Sequence, residues 1–381
     1  MHTATCICIL LGALSAPAQE NHKEAVTVLK HVMVYYEPTR FGGWPANHGI
    51  WSWDNEILVG FSRGYYKDLG PERHAIDRDK PEEHLLARSL DGGESWTTED
   101  PAAKGFLIPQ GDSLHGTELP GVAIKPAVEC PGGIDFTHPG FAMTLRMESA
   151  DTGQSRFYYS YDKGLTWEGP FKLPLFDTPG IMARTDYIVD GPAECTVFLT
   201  ASKKNKLEGR PICVRTRDGG KTWDFVGWIG PEPKGFAMMP YSVRLSPSEL
   251  LALVRTHEDN RRWIQAYRSK DNGATWALEK NPVEDTGEGN PPCLIPLQDG
   301  KLCLTYGVRA KPFRICAKLS SNGGHTWTDE LVLRDDGACR DLGYVRSVQR
   351  PDGVVVTTYY FSDEKTGPER YIAATLWKPA S

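Results

Sequence analysis

An eight-residue motif occurs five times in the chain and strongly limits what the chain can fold into. The first copy is "SLDGGESW" at residues 89–96, and the others are "SYDKGLTW" at 160, "TRDGGKTW" at 216, "SKDNGATW" at 269 and "SSNGGHTW" at 320. Successive copies begin 51 to 71 positions apart, a period typical of stacked or radial repeats. The motif therefore predicts one repeat domain, although a length of 381 residues would suit two or three domains.

The motif has the chemistry of a tight turn. Glycine adopts positive φ angles without steric cost, and Asp or Ser side chains bond the backbone of their own turn. Short segments rich in apolar and aromatic residues precede the copies, for example "RFYYSY", "PICVRT" and "IQAYRS", as expected of half-buried strands. We therefore interpret each copy as a hairpin turn in a small antiparallel sheet, with a structural rather than catalytic Asp.

The spacing of the motifs predicts six sheets. Five units surround the motifs, at about 48–100, 136–175, 181–230, 236–283 and 290–334. A sixth unit runs from "GYVRSVQRPDG" to "RYIAATLW" and offers three strands, so residues 25–36 ("AVTVLKHVMVYY") are expected to supply its fourth. Pairing of the two chain ends would close the ring and leave no free edge. The sequence thus predicts an all-β, six-bladed β-propeller of four-stranded antiparallel sheets.

The amino-terminal segment predicts export. Residues 1–18 combine an apolar stretch with an Ala-Pro-Ala sequence that fits signal-peptide cleavage, which leaves residues 19–381 as a single propeller domain. The alternative is a buried first strand. We expect the mature protein to be secreted or periplasmic. Its seven remaining cysteines include no Cys-x-x-Cys pair and no metal-ligand spacing.

Composition narrows the class of partner. The formal net charge is −6 and no basic run occurs, which argues against nucleic acid. The sequence contains no metal-binding motif, phosphate loop or dinucleotide fingerprint, so no cofactor is predicted, and no segment has the length of a membrane span. The 11 Trp and 15 Tyr residues suit sugar-stacking surfaces. We expect a glycan or glycoconjugate partner, while the oligomeric state is left open.

The five motifs in an apparent six-bladed ring resemble the Asp boxes (BNR repeats) of the sialidase (neuraminidase) superfamily, over nearly the whole mature chain. The resemblance implies an exo-α-sialidase that hydrolyses terminal acidic sugars with retention of configuration. In that family three arginines bind the substrate carboxylate, an Asp is the acid and base, and a Tyr assisted by a Glu is the nucleophile. Guanidinium groups match a carboxylate in charge and geometry, and a neutral phenol approaches the carboxylate without repulsion.

The resemblance implies a residue for each arginine position. Arg40, in "EPTRFGGWPAN", follows the first strand. Arg255 ends "ELLALVR" in the fourth unit. The third position falls in "LTYGVRAKPFRICAKLS", where Arg309 is the first choice and Arg314 the second.

The same resemblance implies the catalytic groups. Asp77, with Asp79 as its rival, lies on the loop before the first motif, and Tyr344 opens the last blade. The chain departs from the family at the Glu position, where "MPYSVRL" has Tyr241. Asp341, three residues before Tyr344, is the candidate substitute for the missing Glu.

Three further residues point to a different acidic sugar. Arg184 and Asp186 in "GIMARTDY" open the third blade, and His138 ends "DFTH" at the entry to the second. We expect these three residues, together with Tyr241, to bind substrate. They keep two alternatives open: a glycosidase or lyase of the same fold that acts on a uronate or arabinan, and a non-catalytic carbohydrate-binding propeller.

Overall fold

The structure is a computed structural model that describes Met1, residues 26–111 and residues 116–379, and these residues form six small antiparallel sheets. Apart from Met1, the predicted signal peptide at residues 1–18 lies outside the described residues. Six buried hydrophobic clusters each join two neighbouring sheets, which connects the sheets into a closed ring. The predicted six-bladed β-propeller is confirmed.

The strands follow in chain order. Strand β1 (Thr27–Tyr35) leads into blade 1, which comprises β2 (Arg40–Gly43), β3 (Ile50–Trp53), β4 (Glu56–Tyr65), β5 (Glu83–Ser89) and β6 (Thr97–Glu99). Blade 2 comprises β7 (Ala142–Arg146), β8 (Arg156–Ser160) and β9 (Glu168–Lys172). Blade 3 comprises β10 (Ile181–Met182), β11 (Tyr187–Val189), β12 (Cys195–Ser202), β13 (Glu208–Thr216) and β14 (Asp224–Trp228).

The remaining three blades have four strands each. Blade 4 comprises β15 (Phe236–Arg244), β16 (Leu250–Glu258), β17 (Arg261–Ser269) and β18 (Ala277–Leu278). Blade 5 comprises β19 (Cys293–Pro296), β20 (Leu302–Val308), β21 (Phe313–Ser320) and β22 (Leu331–Gly337). Blade 6 comprises β23 (Gly343–Gln349), β24 (Val355–Phe361), β25 (Tyr371–Lys378) and the amino-terminal strand β1.

The chain ends close the ring. Strand β1 pairs antiparallel with β25, from Thr27 opposite Lys378 to Tyr35 opposite Ile372. The first and last strands of the described chain therefore protect each other's edges, as residues 25–36 were predicted to do.

Each motif forms the turn between the last two strands of its blade, and its side chains bond within the turn. In the first copy, Asp91 accepts hydrogen bonds from the Ser89 hydroxyl (2.8 Å) and the Ser95 amide (2.9 Å). The indole of Trp96 donates to the carbonyl of Gly93 at 3.0 Å. The carboxylate of Asp91 therefore accepts hydrogen bonds from within its own turn, as expected of a structural rather than a catalytic Asp.

One helical turn crosses the centre of the ring. Helix α1 (Pro45–His48) follows Trp44, whose φ of 58° lies in the left-handed region. The carbonyl of His48 accepts hydrogen bonds from Thr144 in blade 2 (2.9 Å) and Thr185 at the entry to blade 3 (2.7 Å), and Arg346 of blade 6 donates to the carbonyl of Ala46. Helix α1 is therefore held by three blades at the propeller axis.

Two further features bear on the sequence predictions. The seven cysteines from Cys130 to Cys339 are free thiols, and all but Cys339 are buried. None of the helices in the described residues is long and apolar enough to cross a membrane.

Candidate active site

The candidate site lies at the ends of strands opposite to the motif turns. Residue Leu250 at the start of β16 pairs with Ser269, the first residue of the fourth motif, whereas Arg255 lies five residues further along the strand. In the same way β20 begins opposite Ser320 of the fifth motif, and Arg309 follows its far end. The antiparallel register thus carries both arginines away from the motif face.

Tyr344 begins the inner strand of blade 6 and is held in an unusual backbone conformation. Its φ is 50°, and that of the preceding Gly343 is 102°. A Cβ on Gly343 would lie 2.3 Å from Oδ1 of Asn290, which accepts a hydrogen bond from the Tyr344 amide at 2.8 Å. Glycine is therefore needed for the close approach of Asn290, and the asparagine in turn fixes Tyr344.

Three arginines surround the buried phenol of Tyr344. Arg255 donates from Nη1 to the hydroxyl at 3.1 Å, and the guanidinium of Arg309 lies 5.5 Å from the ring centroid. Burial alone would raise the pKa of Tyr344, but the positive charges of Arg255, Arg309 and Arg184 lower it below its usual value of 10.0. The site thus favours the ionised phenol, the form in which it is a nucleophile.

Arg184 reaches the site from the entry to blade 3. It forms a two-point ion pair with Glu208, in which Nη2 and Oε2 lie 3.2 Å apart. Its Nε is buried and has no hydrogen-bond partner among the described residues. The ion pair holds this guanidinium beside Tyr344 with one edge unsatisfied.

Asp341 lies behind Tyr344 rather than at its hydroxyl. Its Oδ1 accepts hydrogen bonds from the hydroxyl of Tyr360 (2.6 Å) and lies 2.6 Å from Nδ1 of His74. Tyr360 in turn accepts a hydrogen bond from Nη2 of Arg309 at 2.6 Å. Hydrogen bonds from His74 and the charges of His74, Arg370 and Arg309 hold the pKa of Asp341 well below its usual range despite its burial. The carboxylate therefore connects to the site through Tyr360 and Arg309.

Arg40 has partners in its own blade. Its Nε donates to the carbonyl of Gly64 at 2.8 Å, its Nη2 forms an ion pair with Glu83, and its guanidinium lies over the ring of Tyr65. The structure thus surrounds Tyr344 with Arg184, Arg255 and Arg309, and Arg40 is bound to blade 1. The alternative Arg314 forms an ion pair with Glu330 at 2.7 Å.

The candidate acid lies on the loop between β4 and β5. Nζ of Lys67 lies 3.0 Å from Asp77 and 3.3 Å from the exposed Asp79. The hydrogen bond from Lys67 lowers the pKa of Asp77. The carboxyl of Asp77 is therefore ionised at neutral pH in this arrangement.

Asp186 and Tyr241 meet near the propeller axis. The guanidinium of Arg346 lies 4.7 Å from the ring centroid of Tyr241, and Arg346 also donates to the carbonyl of Thr185 at 3.1 Å. Burial raises the pKa of Asp186 to about 8, although Arg346 opposes this. These residues form a buried polar cluster around Arg346, the residue two positions after Tyr344.

His138 is exposed and belongs to the opposite end of blade 2. Its ring packs at 4.6 Å from that of Tyr161, which lies in the second motif, and its Nδ1 accepts a hydrogen bond from the Gly140 amide at 3.1 Å. His138 therefore lies at the motif end of blade 2, whereas Tyr344 lies at the other end of the ring.

A cavity of about 110 Å³ opens beside Tyr344. Most of its wall was not selected from the sequence. The wall contains residues of α1 and its flank, of blades 1 and 2, and of the entry to blade 3: Trp44, Asn47, His48, Ser62, Glu82, His84, Leu145, Arg146, Met147, Ala150, Ala183 and Arg184. The sequence feature that could have indicated this part of the wall is the "GGWPANHG" segment, because its glycines and proline interrupt the strand pattern.

Two histidines and a glutamate form one polar side of this cavity. Nε2 of His48 lies 2.9 Å from the hydroxyl of Ser62, and the rings of His48 and His84 meet edge to face at 4.8 Å. Oε1 of Glu82 lies 3.7 Å from Nε2 of His84. This side can exchange protons with a molecule that occupies the cavity. Among the described residues, no group of His, Cys, Asp and Glu side chains is arranged to hold a metal ion.

Residues 141–357, more than half of the chain, match the model of the BNR repeat-like domain. The chain belongs to the BNR repeat-like family. A comparison with curated protein sequences finds no match.

Solved structures share the fold of this BNR repeat-like protein at low sequence identity. A protein of unknown function from Dyadobacter fermentans is 19% identical with a TM-score of 0.69, covering 93% of this chain and 99% of its own. A sialidase from Streptococcus pneumoniae is 10% identical with a TM-score of 0.58, covering 92% and 70%. An α-L-arabinanase from Penicillium chrysogenum, complexed with arabinobiose, is 12% identical with a TM-score of 0.55, covering 92% and 98%. These likenesses establish a common propeller fold.

Proposed function

We propose that this BNR repeat-like protein is an exo-glycosidase that releases terminal acidic sugars from glycans with retention, as an exo-α-sialidase does. The observation that carries the proposal is the buried phenol of Tyr344 with Arg184, Arg255 and Arg309 around it. A phenol with a lowered pKa is an effective nucleophile, and clustered guanidiniums favour a substrate that carries a carboxylate.

The proposed reaction begins when the oxygen of Tyr344 attacks the anomeric carbon. The bond from that carbon to the leaving oxygen breaks, and the leaving oxygen takes a proton from an acidic side chain. Water then attacks the same carbon and displaces Tyr344 as the phenolate, and the proton of the water passes to the side chain that protonated the leaving oxygen. The sugar is therefore released with its original configuration. The arginines hold the sugar's carboxylate, and they stabilise the ionised phenol before its attack and after its displacement.

Two groups are candidates for the acid. The side of the cavity formed by Glu82 and His84 lies beside the same space as Tyr344. Asp77 lies on the neighbouring loop, but its bond to Lys67 favours the ionised form, so it would first have to leave Lys67. Asp77→Asn and His84→Gln separate the two, because loss of the acid lowers the rate most for substrates with a poor leaving group.

The test is a release assay over glycosides of sialic acid, uronic acids, arabinose and neutral hexoses. We expect release from an acidic glycoside and none from its neutral counterpart. Release of neutral sugars alone would contradict the role given to the arginines. Binding of glycans without any release would instead identify a carbohydrate-binding propeller.

A second candidate is a glycosidase or lyase that acts on another sugar, such as a uronate or an arabinan. One observation favours it: among the described residues, the hydroxyl of Tyr344 is hydrogen-bonded to Arg255 and to no carboxylate. Tyr241 stands at the position of the sialidase glutamate and instead packs against Arg346. The same release assay distinguishes this candidate from a sialidase.

We also propose that the protein acts outside the cytoplasm after removal of residues 1–18. The apolar stretch and the Ala-Pro-Ala sequence support this. Amino-terminal sequencing of protein from its native host should then begin near Gln19. Soluble cytoplasmic protein that retains residues 1–18 would exclude export.

A further inference from the structure

Arg146 is a buried cation in the wall of the cavity beside Tyr344. It ends β7, and only 5% of its surface is exposed. Its Nη1 lies 3.5 Å from the carbonyl of Asn47, and its Nε has no hydrogen-bond partner among the described residues. A buried guanidinium with an unsatisfied edge is costly unless a ligand completes its hydrogen bonds.

Two other buried arginines of the same chain do have a partner for Nε. Arg88 forms ion pairs with Glu56 (2.7 Å) and Glu99 (2.5 Å), and its Nε takes part. Arg156 lies directly opposite Arg146 on β8, and its Nε, Nη1 and Nη2 all donate to oxygens of the protein. Five arginines among the described residues have a buried Nε without a partner, and two of them, Arg146 and Arg184, line the cavity beside Tyr344. Of these two, only Arg184 has a carboxylate partner among the described residues.

The local charge around Arg146 is positive. Burial lowers the pKa of Arg146 below its usual value and the neighbouring Arg156 lowers it further, while Tyr158 and Glu82 offset these effects only in part. Among the described residues, no carboxylate forms an ion pair with Arg146 within 4.0 Å, whereas Arg184 across the cavity has Glu208. An anion next to Arg146 would therefore be attracted rather than repelled.

Asn47 adds an acceptor beside this donor. It belongs to α1 and lines the same cavity, and its Oδ1 is buried without a hydrogen-bond partner among the described residues. A sugar that presents an anionic group next to a free hydroxyl would satisfy both side chains, because the hydroxyl can donate to Asn47 while the anion accepts from Arg146.

We propose that Arg146 and Asn47 form a subsite for a second anionic substituent, a sulfate or phosphate ester, on the acidic sugar that Tyr344 attacks. The inference rests on the proposed function, which assigns the sugar's carboxylate to the arginines around Tyr344. Esterification of a ring hydroxyl is the chemistry that gives such a sugar a second oxyanion. Both esters offer oxygens that match the guanidinium edge.

The test measures binding of free monosaccharides, which the enzyme cannot cleave further. Isothermal titration calorimetry compares glucuronic acid with its sulfate monoesters and its phosphate monoesters, each esterified at one ring hydroxyl in turn. The wild-type protein should bind at least one ester about tenfold more tightly than glucuronic acid itself, and the two series identify which oxyanion is preferred.

The readout is the ratio of the affinity for the ester to the affinity for glucuronic acid, measured on the same variant. A partial loss of folded protein affects both affinities equally and does not change this ratio. In Arg146→Met the ratio should fall to within about twofold of one. The matched control is Arg88→Met, which changes a buried arginine of blade 1 outside the cavity wall and should keep the wild-type ratio. If Arg146→Met does not fold, Arg146→Lys replaces it and should lower the ratio at least threefold, because an ammonium cannot reproduce the Nε edge.

Three results would overturn the subsite: no ester binds more tightly than glucuronic acid, the ratio survives in the Arg146 variant, or it falls equally in Arg88→Met. Failure of the proposed function is a separate result. If Tyr344→Phe retains turnover while the ratio depends on Arg146, the nucleophile is wrong and the anion subsite stands.

Discussion

Tyr360→Phe removes one hydroxyl that joins Asp341 to Arg309 behind the candidate nucleophile. The hydroxyl donates to Asp341 and accepts from Arg309, both at 2.6 Å. The preceding residue, Tyr359, is also fully buried and points to the other face of β24, where its hydroxyl lies 2.6 Å from Thr375. Tyr359→Phe is therefore a control with the same chemistry on the same strand.

The expected cost follows from the partners that remain. A hydrogen bond to a charged group contributes about 1.5–3 kcal/mol, and a neutral one about 1 kcal/mol. After Tyr360→Phe, Arg309 keeps the carbonyl of Leu342 (3.1 Å), and Asp341 keeps His74 and Arg370. We therefore expect a loss of about 2–4 kcal/mol in the free energy of unfolding for Tyr360→Phe and about 1 kcal/mol for Tyr359→Phe.

The effect on turnover distinguishes positioning from stability. Without Tyr360 the guanidinium of Arg309 loses the contact that sets its side-chain direction, so its bond to the substrate carboxylate weakens. A loss of about 1.5–3 kcal/mol of binding corresponds to a rise in KM of about 10-fold to 150-fold, with a smaller change in kcat. Urea unfolding and steady-state kinetics on the acidic glycoside measure the two effects. Equal kinetics for the two phenylalanine variants would refute the reasoning.

Three further predictions test the surrounding electrostatics and the repeat motif. Arg255→Gln should shift the rise of kcat/KM with pH to higher pH, because loss of the positive charge raises the pKa of Tyr344, and an unchanged profile would contradict this. In the wild-type protein the free energy of unfolding should fall as the pH rises from 4 to about 8, since folded Asp186 keeps a proton there that the unfolded state has lost. Asp186→Asn should remove this dependence on pH. Equal urea curves for the wild-type protein and the variant across this range would exclude the raised pKa of Asp186. Asp218→Ala should lower the free energy of unfolding by about 1–2 kcal/mol and Asp218→Asn by less, because Asn322 in the fifth motif already makes the same turn with its amide donating to Thr326; equal urea midpoints would refute this.

The fold could be predicted because the information for it is local and repeated. Each motif specifies one turn through side chains that bond within eight residues, and five such turns mark the first five blades in order. The sixth blade has no motif and was predicted from its strand pattern. Closure by residues 25–36 followed from the need to protect a free edge.

Site residues could be predicted only where their position along a blade is enough to place them at the site. Arg255 lies in the second half of β16, Arg309 directly follows β20, and Tyr344 lies at the start of the inner strand β23. Their positions along the blades thus bring them to one end of the ring. Arg40 has the expected place in the chain, but its side-chain direction depends on Glu83 across the sheet, which the sequence does not reveal.

The cavity wall could not be predicted because it depends on tertiary contacts of one short helical turn. Helix α1 is four residues long, and its place at the axis depends on hydrogen bonds to Thr144, Thr185 and Arg346 from three different blades. The hydrogen bonds of Arg146 likewise depend on this packing, because the carbonyl of Asn47 meets its Nη1 and leaves its Nε without a partner among the described residues.

The most direct test of the account is single-turnover hydrolysis of an acidic glycoside by the wild-type protein and by Tyr344→Phe, with calorimetric binding of the same sugar to both. If Tyr344 is the nucleophile, loss of its oxygen should lower the rate by about a thousandfold or more while the dissociation constant changes by less than about tenfold. Undiminished hydrolysis by a folded Tyr344→Phe protein would contradict the central claim.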